Sequence, residues 1–368
     1  MDEKRYWIGI NLVKGIGAVR LRALLNHFGD AKTAWGGTPD ELRAAGLSKK
    51  LVERFTQVRQ NVNLDVLWHQ IAEKNIRVMT WSDADYPARL REIAQPPPIL
   101  YLRGELVGED SWAVAIVGTR RVTSYGRQVA EEIASFLAQN GITVVSGLAR
   151  GVDGIAHQAA LKAGGRTLAI LGSGVDRIYP PEHRTLAENI TKSGAVISDY
   201  PPGTPPESSN FPPRNRIIAG LSMASVIIEA GETSGALITA KFAVDQGREV
   251  FALPGNIFAP QSKGPNRLIQ QGAHPLLKPR DILDVLDLTR VTEHRAARKA
   301  LPADATESQV LDMLSHEPLH VDEIGSQTGL PVAKVSSALV MMELKGIVRH
   351  VGGMNYVAVR EAQSEYDA

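Results

Sequence analysis

The middle of the chain is punctuated by runs of small apolar residues: AVAIV (113–117), ITVVS (142–146), RTLAIL (166–171), GAVIS (194–198), ASVIIEA (224–230) and EVFAL (249–253). None alternates polar with apolar, so each predicts a strand buried on both faces. Between them the apolar period lengthens to that of a helix, in YGRQVAEEIASFLAQNG (125–141), DGIAHQAALKAGG (153–165) and ALITAKFAVDQG (236–247). Strand and helix alternating over 113–287 predict an α/β domain, an extended Rossmann-like doubly wound parallel sheet.

The flanks follow other periods. Residues 1–60 predict short helices, with Val19, Leu21, Leu24, Leu25 and Phe28 at helical spacing after a Gly-Ile-Gly turn. In TPDELRAAG (38–46), Thr38, Pro39 and Glu41 occupy N-cap, N1 and capping-box positions. A further helix fits SKKLVERFTQVRQ (48–60). Glycine turns of this kind open helix-hairpin-helix DNA-binding modules, where bare amides meet a phosphate, and they also serve as plain packing turns. A connecting region, 61–112, ends in the strand-like ILYLRGEL, suited to the edge of the sheet. After a charged linker, 288–306, three helical segments and two short strands over 307–360 predict a winged-helix-like domain.

Composition narrows the setting. The 368 residues carry a net charge of +1 and no cysteine. That excludes disulfides, thiolate catalysis and Cys-ligated zinc, and it suits a cytoplasmic protein. No apolar run approaches the ~18 residues of a membrane span, and the N-terminus lacks a signal-peptide core. Charge is unevenly spread. Residues 1–60 hold 11 Lys/Arg against 6 Asp/Glu, residues 111–280 hold 17 against 12, and residues 302–360 hold 4 against 7. The first two regions favour a polyanion; the acidic tail favours protein docking over duplex binding.

Ligands of open parallel sheets bind beyond the carboxyl ends of the strands. Here those ends read GTRR (118–121), SGLARGVD (146–153), GSGVDR (172–177), SDYPPG (198–203), GETSGA (231–236) and PGN (254–256). Glycine leaves backbone amides bare, helix N-termini add partial positive charge, and Arg120, Arg150 and Arg177 add bidentate phosphate grips. NFPPRNRIIAGLS (210–222) contributes Arg214 and Arg216, although Arg216 also suits an ion pair with Glu229 or Asp199. Lys241, on the helix after GETSG, faces either the rim or solvent. Tyr125, Tyr179, Tyr200 and Phe211 lie close enough to stack on bases.

No catalyst stands out in this ring. Asp153 and His157 are four residues apart and share a helix face. As a metal or acid–base pair they lack a third partner, and the simpler expectation is that Asp153 caps its helix while His157 packs beneath the loop. Neither a nucleophile elbow nor a Walker pattern is present. Neither a metal nor a cofactor is expected. Anion sites repeated over successive loops match the recurring phosphates of single-stranded nucleic acid better than one mononucleotide.

GTRRVTSYG, SGLARGVDGIAHQAAL, GSGVDRIYPPEH, NFPPRNRIIAGLS, SGALITAKFAVDQGREVFALPG and GPNRLIQQGA, in that order, resemble the DNA-processing protein A (DprA, or Smf) family over about 113–275. The resemblance implies a non-catalytic, dimeric, single-stranded DNA-binding protein with an N-terminal helical module, SAM-like or helix-hairpin-helix-like. Such a protein protects incoming DNA in natural transformation and loads the RecA recombinase. Carried onto this chain, the DNA-binding positions are Arg120; Ser146, Gly147, Arg150 and Gly151; Arg214, Asn215 and Arg216; and, on a looser match, Arg184; the glycine-rich rim adds Gly118, Thr119 and Lys241 as further candidates. The dimer surface falls on Asn266, Leu268 and Ile269. The alternative from another class is a nucleotide phosphoribohydrolase resembling the lysine decarboxylase-like family. That family's PGG-x-GT loop would sit at GETSGA, whose proline and paired glycines are missing.

Overall fold

The apolar runs become adjacent parallel strands of one sheet in a computed structural model that describes residues 3–288, 305–314, 318–344 and 348–358. The chain divides into two units, residues 1–286 and 287–368.

The first unit opens with helices α1 (Lys4–Asn11), α2 (Ala18–Phe28), α3 (Ala31–Gly36), α4 (Pro39–Ala44), α5 (Lys49–Asn61) and α6 (Leu64–Glu73). Thr38 and Glu41 form the expected capping box at the start of α4. Ile16 of the Gly-Ile-Gly turn is buried with Leu24, Trp35, Leu42 and Phe55 in the core of this helical region. The turn therefore packs, and Gly17 stands at the N-cap of α2 with no side-chain cap.

Next come β1 (Arg77–Thr80), α7 (Ala88–Arg91), β2 (Ile99–Gly104), β3 (Ala113–Val117), α8 (Ser124–Gln139), β4 (Thr143–Ser146), α9 (Val152–Lys162) and β5 (Thr167–Ile170). They are followed by α10 (Arg184–Ser193), β6 (Ala195–Ser198), α11 (Phe211–Leu221), β7 (Ala224–Ile227), α12 (Gly235–Asp245), β8 (Glu249–Ala252), α13 (Lys263–Gln270), β9 (His274–Pro275) and α14 (Arg280–Val285). The strand order is β1-β2-β6-β5-β4-β3-β7-β8-β9. All neighbours from β6 to β9 are parallel, while β2 pairs antiparallel with both β6 and β1. The strand expected at the sheet edge thus lies one place inside it. The short strand β1 is the outermost, and no apolar run announces it.

Alternate residues of each strand feed opposite faces. Leu168, Ile170, Ala195 and Ile197 pack with Leu90, Ile217 and Ala240, on the side of α7, α11 and α12. Ala169 and Val196 pack with Leu186 and Ile190 of α10, together with Ile8 and Ile71 from the N-terminal helices. Both faces are covered, which is why the strands read as unbroken apolar runs.

In the second unit, helices Ala305–Met313, Val321–Thr328 and Val332–Leu344 enclose a core containing Val310, Ile324, Val335, Leu339 and Met342. A hairpin, β11 (Val348–Gly352) and β12 (Asn355–Ala358), completes it, with β10 (Leu319–His320) as a third, antiparallel strand. This is the winged-helix arrangement. Most of the predicted linker, 289–304, lies outside the described residues. Among the described residues, no helix is long and apolar enough to cross a membrane.

Candidate functional site

Neighbouring strands β3 and β7 are the switch point of the sheet. From β3 the strands run through β4 and β5 to one side, and from β7 they run through β8 to the other. Such a reversal opens a crevice beyond the strand ends. A cavity of about 670 Å³ lies there, walled by Gly118–Arg121, by Gly231 and Thr233–Ala236, and by Phe211, Arg214 and Asn215, with Tyr179 at its side.

The loop bearing Arg120 and Arg121 is held from beneath by one residue at the end of β7. The Glu229 carbonyl accepts the Thr119 amide at 2.6 Å. Its carboxylate accepts the Thr123 hydroxyl at 2.5 Å and the Thr123 amide at 3.0 Å. Thr123 in turn caps α8 by accepting from the Gly126 amide. Residue 126 must be glycine for this to fit, because a Cβ there would lie 2.5 Å from Glu229 Cδ. Gly151 adopts φ +77°, and a side chain on it would collide with the Thr119 carbonyl. Above this clamp both arginine side chains are exposed, and among the described residues no ion pair engages either.

The cavity floor is Arg214, only 4 % exposed. Its Nη1 donates to the Gly147 carbonyl at 2.9 Å and to the Ile170 carbonyl, and its Nε donates to Asn215 Oδ1 at 3.2 Å. The guanidinium lies 5.9 Å from the Phe211 ring centroid, and that ring is 5.9 Å from Tyr179. Burial pushes this guanidinium down to about 10; Asp153 resists the fall and nearby Arg120 adds to it. Arg214 therefore stays charged at neutral pH, and its field adds to that of Arg120.

Asp153 does something other than cap its helix. Gly151 occupies the N-cap position of α9. The Asp153 carboxylate instead accepts from the Gly147 and Ala149 amides, at 3.2 and 3.3 Å, and so fixes the preceding loop. Burial pushes its carboxyl upward, against the pull of Arg214. His157 is fully buried, with Nδ1 2.6 Å from Thr167 Oγ1. That hydroxyl already donates to the Val144 carbonyl, so His157 Nδ1 carries the proton and Nε2 is left without a partner. Burial pushes the imidazole down to about 3, with His183 and Arg214 assisting. Among the described residues no His/Asp/Glu cluster could hold a metal.

The structure gathers some of the sequence candidates and disperses others. Gly118, Thr119, Arg120, Arg214 and Asn215 line the cavity with Tyr179 and Phe211. Gly147 and Gly151 shape it from behind. Ser146 is buried and donates to the Ile116 carbonyl. Arg150 is exposed and paired with Glu182 at 2.5 Å. Arg184, at the start of α10, and Lys241, on α12, are exposed and are not among the lining residues.

Arg216 turns away from the cavity. It binds Asp199 at 2.8 Å and the Gln95 carbonyl at 3.1 Å, the ion pair weighed as its alternative role. Two residues apart on a helix means about 200° around its axis, so Arg214 and Arg216 cannot share a wall. Tyr125 and Tyr200 lie outside this cavity, Tyr200 in a second cleft with Arg216 and the Gly-Ile-Gly turn. Asn266 brackets Gly255 with two hydrogen bonds, Leu268 packs partly buried against the core, and Ile269 is half-buried. Sequence reasoning passed over Arg121 as a site residue and Glu229 as a clamp. The signals were present: a doubled arginine after a buried strand, and a lone acid closing an apolar run.

Comparison with known proteins bears on this geometry. The family model described as DNA recombination-mediator protein A matches residues 77–287, and that described as DprA winged helix domain matches residues 294–354. Protein Smf of Synechocystis sp. is 37 % identical over 96 % of this chain and 98 % of its own. DNA processing protein DprA of Bacillus subtilis is 38 % identical over 68 % of this chain and 82 % of its own. The X-ray structure of DNA processing protein A from Streptococcus pneumoniae superposes with a TM-score of 0.68 at 32 % identity, covering 76 % of this chain and 97 % of that one. The Helicobacter pylori protein, solved for its single-stranded DNA binding mode, gives 0.52 at 30 % identity, covering 57 % and 95 %.

Proposed function

The chain belongs to the DNA recombination-mediator protein A family, and from that premise we propose that its sheet-end cavity holds the backbone of single-stranded DNA. The observation that carries this reading is an exposed arginine doublet, Arg120–Arg121, that no ion pair engages among the described residues, over a floor made by a third cation, Arg214. Phosphates meet the guanidinium groups, while Tyr179 and Phe211 offer rings to the bases. The protein binds and releases without turning over. Within the cavity neither acid is available as a base: Asp153 is buried and committed to two backbone amides, and Glu229, beneath its wall, is committed to Thr123. These two carboxylates are thereby withheld from the chemistry the phosphoribohydrolase alternative requires.

In transformation, such a protein shields incoming single strands and passes them, as a dimer, to RecA in the cytoplasm. The test is fluorescence anisotropy with a labelled oligo-dT across a salt series, on wild type and Arg120→Glu. We expect preference for single over double strands, affinity falling steeply with salt, and a loss of more than tenfold in the variant. Unchanged affinity in Arg120→Glu overturns the reading, and base release from nucleoside monophosphates would restore the enzyme.

A further inference from the structure

The loop after β8, Gly255–Ser262, presents Ile257 and Phe258 to solvent, 71 % and 84 % exposed. An apolar pair on a floppy loop would mean little, but this loop is fixed at three places. At its base, Asn266 donates to the Gly255 carbonyl at 3.0 Å and accepts the Gly255 amide at 3.2 Å. At its tip, Asn256 accepts the Phe258 amide through its side chain at 2.9 Å and the Ala259 amide through its carbonyl at 2.9 Å. On its far side, the Gln261 carbonyl accepts the Ala230 amide at 2.8 Å, and Lys263 lies 3.7 Å from Glu232. The third anchor matters most. Residues 230–232 lead directly into Gly231 and Thr233–Ala236, the wall of the phosphate cavity, so the loop abuts that wall. Tyr125, at the other end of the arginine loop, reaches the start of the same connection with its hydroxyl 3.3 Å from the Pro254 carbonyl.

We propose that Phe258, with Ile257 beside it, is a stacking platform for a nucleobase of the strand whose phosphates occupy the cavity. This rests on the single-stranded DNA reading given above and extends the track beyond Tyr179 and Phe211, along the sheet end towards β8. A strand leaving the cavity past Gly231 turns its bases towards the first apolar surface it meets. The backbone that carries the ring is already held in place there, so stacking loses little chain entropy, and it is sequence-tolerant because every base has a π-face.

The experiment pairs a protein change with a DNA change, using the full chain. Anisotropy is measured for wild type, Phe258→Ala and Phe258→Trp on oligo-dT and on a series carrying one abasic residue at each position in turn. Phe258→Ala should weaken binding to oligo-dT roughly tenfold, and Phe258→Trp should preserve it. One abasic position should cost wild type a similar factor and cost Phe258→Ala almost nothing. A loss below twofold in Phe258→Ala, or abasic penalties identical in the two proteins, overturns the platform. So does a change in mass by light scattering that accounts for the lost affinity, since the patch would then be a subunit contact. Arg120→Glu on the same oligonucleotides keeps the two claims apart. If it binds normally, the cavity reading itself has failed; if it loses binding while Phe258→Ala does not, only the platform has.

Discussion

Glu229→Gln separates holding a loop from charging it. The side chain is 5 % exposed and both its oxygens accept from Thr123. Glutamine keeps one acceptor and turns an N–H₂ towards the other contact. If its oxygen stays on the Thr123 amide, the Thr123 hydroxyl faces a donor while Oγ1 already accepts from Gly126. One charge-assisted hydrogen bond is therefore lost, and a buried donor is stranded. A loss of about 2 kcal/mol is expected, measurable as a lower midpoint in urea. The loop it released carries Arg120 and Arg121, so affinity for oligo-dT should fall by up to about thirtyfold, the whole of that free energy spent on reordering the loop. The cations themselves remain. The slope of log K against log salt should stay at its wild-type value, whereas Arg120→Ala should flatten it by about 0.7. Anisotropy across a salt series reads both quantities at once. Lower stability with unaltered affinity would show that the clamp does not position the arginines. Tighter binding would show that the carboxylate acts mainly by repelling phosphate.

Three further outcomes follow from buried contacts. His157, pushed down to about 3 in the folded protein, titrates near 6.5 when unfolded, so between those values only the unfolded chain takes up its proton. Its contribution is fully present above pH 6.5 and drains as pH falls towards 3, by at most ~5 kcal/mol. Asp153, pushed up by burial, slopes the opposite way in wild type and variant alike, so the difference in urea stability between wild type and His157→Gln should shrink from pH 7 to pH 4; parallel curves refute it. Gly151→Ala forces a side chain into a glycine-only conformation against the Thr119 carbonyl, and should lower the unfolding free energy by at least ~2 kcal/mol; an unmoved midpoint counts against the fit. Arg216→Ala strands Asp199, whose Oδ1 already lacks a partner, and should cost about 2 kcal/mol of stability while leaving oligo-dT affinity within about twofold; a large loss of affinity would return Arg216 to the DNA track.

How much of this could be read beforehand depends on whether the cause is local. The strands from β3 to β8 were legible because burial on both faces keeps charge out of their buried positions and leaves only small hydroxyls among the apolar residues, and GTRR was legible as a loop because glycine and charge end such a run. Strands β1 and β9 were not, since RVMT and HP are too short and too mixed in polarity to stand out as apolar runs.

The arginines make the same point more sharply. In FPPRNRIIAGLS nothing in composition distinguishes Arg214 from Arg216, and the two were read as one cluster. Helix geometry alone separates them by about 200° and allows at most one to face the cavity. Which one does is decided by distant partners: Gly147 and Ile170 carbonyls below Arg214, Asp199 and Gln95 beside Arg216. Arg120 and Arg121 differ because they sit on a loop tip where, among the described residues, no ion pair engages them, so their charge is left over for a ligand. A phosphate site in a parallel sheet is therefore best sought in the cations that the fold leaves uncommitted at the switch point, after subtracting those that helix periodicity and buried acids have already claimed.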